Sequence, residues 1–324
     1  MAKGNKETAQ IVVDRICELI EKEQSLPWVK PWSAALNTVT VVDGVKTVTV
    51  QPTAWNRKGI MYRGSNSWLP AGEYITFKQV KDEGGQVLKG AKSWPVVYWN
   101  FLEKETVDPD TGKKKKESVP LLRYYNVFRI EDTTLTRKHN PGPTVYSIPI
   151  THEEPVDDDN NDLCDTAEEV IADYVGRAGN GFKLLRDAVS NRAYYSPSQD
   201  YVSVPCRGQY VQKAEYYSTI FHELAHSTGH ATRLNRFTGR AAKASFGSEE
   251  YSREELIAET TAAAMLNALG MEEGNSFRNS AAYVKSWASH IKDDPMMYVT
   301  AAKRAQDAFD LLMGIEKGGK EDVQ

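Results

Sequence analysis

Between residues 7 and 24 apolar side chains recur three and four apart, at Ile11, Val12, Ile16, Leu19 and Ile20, which predicts an amphipathic helix ending before Pro27. Beyond it the period shortens. Runs rich in Val, Tyr, Trp, Phe and Ile at 74–77, 95–102 and 121–130, separated by Gly84-Gly85, Gly90 and a turn at Asp108 to Gly112, predict strands of a small sheet. The last two should form a hairpin with Lys113 to Lys116 at its tip, four lysines that fit either a solubilising cap or a phosphate clamp. Farther on, Ala193 to Ser196 and Tyr201 to Pro205 read as two more strands, the second ending in a proline suited to a sheet edge. Helical spacing returns around 216–226 and 254–268, and in a terminal helix whose Trp287, Ile291, Ala301, Ala305, Ala308, Phe309 and Leu312 are expected in a core. Between the two regimes, Thr151 to Asp162 holds a proline, six acids and almost no apolar content, which is linker composition. The expected architecture is α+β in two domains: a small mixed α/β domain over 1–150, the acidic linker 151–162, and a second domain over 163–324.

Composition narrows the class. With 324 residues, 40% hydrophobic and 26% charged, the chain is neither a single small module nor disordered throughout. No stretch reaches the ~18 consecutive apolar residues of a membrane helix, and the N-terminal helix carries Asp14, Glu18 and Glu21, so a cytoplasmic location without a membrane partner is expected. Cys17, Cys164 and Cys206 lie far apart with no C-x-x-C pair, which suggests neither a disulfide framework nor a cysteine zinc site. The net charge of −4 conceals an asymmetry: residues 1–150 hold 22 Lys and Arg against 16 Asp and Glu, +6, and the remainder 18 against 28, −10. Six of the seven tryptophans, Trp28, Trp32, Trp55, Trp68, Trp94 and Trp99, also fall in the basic part, the balance of a polyanion-binding module joined to something else.

A protein that binds single strands needs cations along the backbone and flat rings for unpaired bases. Trp28-Val-Lys30-Pro-Trp32, the stretch from Asn56 to Asn66 that includes Tyr62 and Arg63, and the run from Thr76 through Lys78 to Lys89 and Lys92 interleave the two. Rings in a sheet domain of this size also serve as core, so stacking and packing are both open for each.

The sharpest chemical signal is His222-Glu223-Leu-Ala-His226. Residues i and i+4 on a helix face the same way, so both imidazoles can reach one Zn²⁺ while Glu223 projects toward its open coordination position. Gly229 reads as the C-cap that turns the chain away. His230 lies about 12 Å along the axis from His222, too far for an easy third ligand, and position 232, where the metzincin spacing needs a histidine, is Thr232. Glu254-Glu255-Leu-Ile-Ala-Glu259 opens another helix, and a carboxylate from it would complete a His₂Glu set. We assign Glu255 as the ligand and Glu259 to an imidazole hydrogen bond that sets the tautomer, with Glu254 as the rival ligand.

The order of these pieces resembles the ArdC-type antirestriction proteins. In the first half the resemblance is carried by the proline-flanked tryptophans, Tyr62-Arg63-Gly64-x-Asn66, Thr76-Phe-Lys-Gln79, and Gly85-x-Val87-x-Lys89-Gly90-x-Lys92. In the second it is carried by Tyr216-Tyr217, Phe221 to His230, Arg233-Leu-x-Arg236, Tyr251-x-x-Glu-Glu-Leu-Ile-Ala-Glu259 and Ala301 to Ala308. It implies an N-terminal single-stranded-DNA-binding domain, related to that of TraC-type plasmid primases, and a C-terminal zincin-like metallopeptidase domain, on proteins of conjugative plasmids and phages. DNA contacts are then expected at Trp28, Lys30, Trp32, Tyr62, Arg63, Asn66, Lys78, Lys89 and Lys92. The chain departs from the family at Ser227, where an aromatic is expected, at Ala91, in place of an acid, and in the stretch 106–118.

Three functions follow. The first is a mobile-element protein that coats incoming single-stranded DNA against host restriction and carries a metallopeptidase-like domain, with zinc, or manganese, as its cofactor and an unidentified protein as its substrate. The others are an intracellular zinc metallopeptidase recruited to DNA, and a metal-containing DNA-binding protein without turnover. Glu223 would be the general base of the first two; an inert metal site has no need of it.

Overall fold

The structure is a computed structural model that describes residues 4–23, 38–42, 45–50, 54–58, 60, 62–70, 72–107, 114–136, 144–149, 163–179, 181–210, 212–237, 249–271 and 281–315. Trp28, Lys30, Trp32, the linker 151–162, His139 and His152 lie outside them.

The N-terminal helix α1 (Asn5–Glu23) forms where its apolar spacing places it and buries Val12, Val13, Ile16, Leu19 and Ile20. It packs on a four-stranded sheet of order β3-β4-β6-β5, built from β3 (Ala54–Asn56), β4 (Gly72–Thr76), β5 (Trp94–Val107) and β6 (Lys114–Arg129). The expected hairpin is there: β5 and β6 pair antiparallel from Trp94↔Val127 out to Val107↔Lys114, so its ladder continues into 106–118. Lys114 and Lys116 near its end pair with Glu105 and Glu103 at 3.3 and 3.2 Å. Thr76-Phe-Lys-Gln79 is a capping box: the Thr76 hydroxyl accepts from the Gln79 N–H, the Gln79 side chain accepts from the Thr76 N–H, and together they start α2 (Phe77–Asp82). A separate sheet, β1 (Thr38–Val42), β2 (Val45–Val50) and β7 (Thr144–Pro149), is wholly antiparallel in the order β1-β2-β7.

The second half holds α3 (Asp165–Ala178), the short strands β8 (Lys183–Leu185), β9 (Tyr194–Ser196) and β10 (Tyr201–Ser203), and the helices α4 (Lys213–Ser227), α5 (Glu249–Ala268), α6 (Ala281–Asp293) and α7 (Pro295–Leu312). Two expectations are corrected here. In the order β8-β10-β9 the strand ahead of Pro205 is central, pairing on both sides, and β8 and β9 are the edges. The terminal helix is two helices, because the Asp294 carboxylate caps the Met296 N–H and Pro295 occupies the first turn of α7, where no backbone donor is required.

Two apolar cores form, and the halves of the chain share one of them. Leu256, Ile257 and Ala263 of α5, Trp287 and Ile291 of α6, and Met297 to Ala305 of α7 pack with α1, Trp68, Tyr74, Trp94 and Leu122. The second core, Tyr174, Phe182, Val202, Tyr217, Phe221 and Leu224 among others, takes Met265 and Leu266 from α5 and Phe309 and Leu312 from α7. Helices α5 and α7 thus line both cores. Ile16→Ala in α1 should therefore cost roughly 2–5 kcal/mol and lower the denaturant midpoint of the whole chain; helix loss resolved into two transitions, with only one shifted by the substitution, would contradict a shared core.

Candidate functional site

Helix α4 divides its faces by chemistry. Tyr217, Phe221 and Leu224 enter the second core, while His222, Glu223 and His226 look into a cleft of about 740 Å³. Across the cleft α5 presents Glu254 and Glu255. The two Nε2 atoms of His222 and His226 lie 3.1 Å apart, and Glu255 approaches them at 3.6 and 3.4 Å. Ligands at 2.0–2.1 Å on a tetrahedral ion stand about 3.3 Å from one another, so this triangle fits one small divalent cation. Among the described residues, His222, His226 and Glu255 are the set of three donor side chains close enough to share an ion.

The outer nitrogens of both rings meet carboxylates. Glu259 stands 3.7 Å from His222 Nδ1, a buried atom beyond hydrogen-bond reach of it, and Glu254 stands 3.4 Å from His226 Nδ1. Glu254, the rival ligand, is turned away from the triangle by Arg236. That guanidinium holds Glu254 through Nε at 3.1 Å and Nη2 at 2.6 Å, and it donates to Ala225 O and Thr228 Oγ1 at the end of α4. Burial lowers the basicity of His226, but Glu254 and then Glu255 outweigh it and raise its pKa to about 10. Burial likewise works against the charge on both carboxylates, and their imidazole contacts, joined at Glu254 by Arg236, hold both below the usual carboxylate range.

Residues 179–304 match the zincin-like metallopeptidase family and residues 6–128 match the N-terminal domain of the anti-restriction factor ArdC. The crystal structure of the antirestriction ArdC protein from plasmid R388, metal-free, is 31% identical, with a TM-score of 0.60 over 94% of this chain and 96% of that one. The chain belongs to the ArdC antirestriction family. The Mn(II)-bound structure of the same R388 protein is 28% identical over 96% and 99% of the two chains, again with a TM-score of 0.60. DNA primase TraC of Escherichia coli is 30% identical over 318 residues, 95% of this chain; the chain spans about a fifth of that relative's length, 20%.

Within the ArdC-family pattern, several motif residues have jobs that sequence reasoning did not assign. Gly229 is not the C-cap: α4 ends at Ser227 with Thr228 as cap, and Gly229 is confined because an added Cβ would meet the Phe237 ring at 2.8 Å. Ser227, in the place of an aromatic, is fully buried and hydrogen-bonds the Tyr174 hydroxyl at 2.8 Å. Arg233 ties the Ser227 carbonyl to Asp200 in the β9–β10 turn. His230 bonds Thr232 at 2.9 Å, as its poor ligand geometry led us to expect. No alternation or spacing rule points to Arg236; its signal was only its place in the Arg-Leu-x-Arg run.

The nucleic-acid expectations divide. Lys78, Lys89 and Lys92 are exposed. Tyr62, by contrast, is buried and meets the Tyr74 ring edge-on at 5.8 Å, so its face is closed to a base. Asn66 spends its amide on the backbone of Val97, accepting from the N–H and donating to the carbonyl at 2.8 Å each, which closes the outer edge of β5. Arg63 pairs with Asp310 of α7, Gly64 N–H donates to Gln306, and Ser65 donates to the Val299 carbonyl. Gly64 itself has φ +57°, a conformation that favours glycine. This turn is a seat for α7.

Two measurements test the centre. Arg236→Gln should weaken divalent-metal affinity roughly 10- to 100-fold in chelator competition; unchanged affinity would show that Glu254 needs no such anchor. The raised pKa of His226 stabilises the metal-free chain below the ordinary histidine value, and that contribution is lost as pH rises toward about 10. Metal competes with the same proton, so uptake should strengthen with rising pH and release a proton, measured by calorimetry in buffers of different ionisation heat.

Proposed function

We propose that this ArdC-family chain binds single-stranded DNA of a mobile element, shields it from host restriction, and hydrolyses a peptide bond in a protein partner at its metal centre. The observation that carries the reading is the triangle of His222, His226 and Glu255 with Glu223 beside it in one cleft. His222, His226 and Glu255 would hold a divalent ion, zinc or manganese, which would supply Lewis acidity and activation of the nucleophile there. Glu223, nearly buried on the same helical face, takes the nucleophile's proton on its carboxylate and returns it to the leaving amine nitrogen. The edge strand β9 puts Tyr194 and Tyr195 along the cleft wall, where an extended peptide could lie against it.

The basic, aromatic first half supports the DNA arm. Binding should show little base preference, with log K falling against log salt at roughly −0.7 per phosphate contacted. The decisive experiment is conjugative transfer into a restricting host. The protein should raise transfer, and transfer unchanged by it removes the antirestriction reading. Glu223→Ala should retain metal; protection that persists in this variant separates shielding from hydrolysis.

A further inference from the structure

One face of the outer β5–β6 hairpin carries side chains that none of the described residues covers. In the strand register Tyr98 lies opposite Arg123, Asn100 opposite Leu121 and Leu102 opposite Val119, so these side chains and Tyr125 share a face. Tyr98, Leu102, Val119 and Tyr125 are exposed by 47, 47, 39 and 41%, while farther toward the sheet Val96 and Val127 on the same face, and Leu122 on the reverse face, enter the shared core. The Tyr98 and Tyr125 rings stand 5.9 Å apart at 56°, with Arg123 half-buried beside them. Over 94–102 and 118–128 the hairpin has a single charged residue, Arg123.

A contiguous exposed apolar surface marks a binding site. Two open phenol rings beside a lone guanidinium, with no carboxylate near them in the ladder, complement a partner that offers flat π faces and negative charge together. Unpaired nucleic acid offers both, since each base has a free face and each linkage a phosphate; a duplex keeps its base faces stacked inside. We infer that this hairpin face is the stacking platform for single-stranded DNA, with bases on Tyr98 and Tyr125 and Arg123 on the backbone. The inference rests on the DNA reading above and locates its surface. It also explains Tyr62, a motif residue that cannot itself stack: its buried side chain hydrogen-bonds Tyr125 and so holds that ring in place. The lysines near the hairpin end are poorer candidates, because Lys114 and Lys116 are already paired with glutamates.

The test uses the full chain and a fluorescein-labelled oligo-dT, with a hairpin duplex and an abasic oligomer as controls. Tyr98→Ala should weaken oligo-dT binding about tenfold or more and leave thermal stability, abasic-oligomer binding and the salt slope at wild-type values. Tyr98→Phe should restore affinity. Arg123→Gln should reduce the salt slope by ~0.7, one phosphate's worth. Wild-type affinity in Tyr98→Ala, or equal losses on oligo-dT and the abasic oligomer, would overturn this surface while the DNA reading stands. No oligo-dT binding by the wild-type chain would overturn both.

Discussion

Across the α4–α5 contact three carboxylates each stand 3.4 to 3.7 Å from an imidazole nitrogen of His222 or His226, and the site depends on how that charge is compensated. Removing charged groups from water is costly unless each finds a partner. Glu254 finds Arg236, whose guanidinium is almost wholly buried. Glu255 has no such guanidinium; its partners are the two imidazoles. Those ring nitrogens, 3.1 Å apart, can share one proton without a metal or point together at one cation with it. Attraction to a divalent ion is therefore built into the electrostatics of the helix pair.

The two arginines that follow α4 carry this arrangement outward. Arg233 and Arg236 both take carbonyls from the end of the helix, at Ser227 and Ala225, so the C-terminal turn bearing His226 is held from two sides. One arginine then reaches Asp200 in the turn after β9, whose tyrosines line the cleft, and the other reaches Glu254 on α5. The ligands, the wall and the carboxylate helix are thereby tied to one short segment. Gly229 lets that segment fold back because Phe237 and Arg236 fill the space where a side chain would stand.

The side-chain triangle of the candidate site was legible in the sequence because its geometry is local. His222 and His226 are four apart on one helix, and Glu255 and Glu259 four apart on another, so periodicity alone presents each pair on a common face. Glu254 was harder to assign: adjacent to Glu255 in sequence, it was separated from the ligand role only by Arg236, 18 residues away, which neither spacing nor composition brings to it. In the first half, composition drew attention to the rings but could not tell a buried ring from an exposed one. Tyr62 and Tyr98 are equally aromatic as letters, and what distinguishes them is long-range packing, which buries Tyr62 against Tyr74 and leaves Tyr98 exposed. The same limit hid the pairing of β7 with β2, remote in sequence, and the break at Asp294, where a cap and a proline interrupt an otherwise continuous helical pattern.

The shared core bears on how such a chain can be inherited. Were the first half exchanged for an unrelated module, Leu256, Ile257, Trp287 and Ile291 would be left facing water, and the turn at Arg63 to Asn66 would take its grip on Asp310 and Gln306 away with it. The two halves can therefore be moved as a block but not exchanged one at a time. The alignment with the TraC primase is consistent with this, since 95% of the chain, both halves together, reappears inside a protein five times as long.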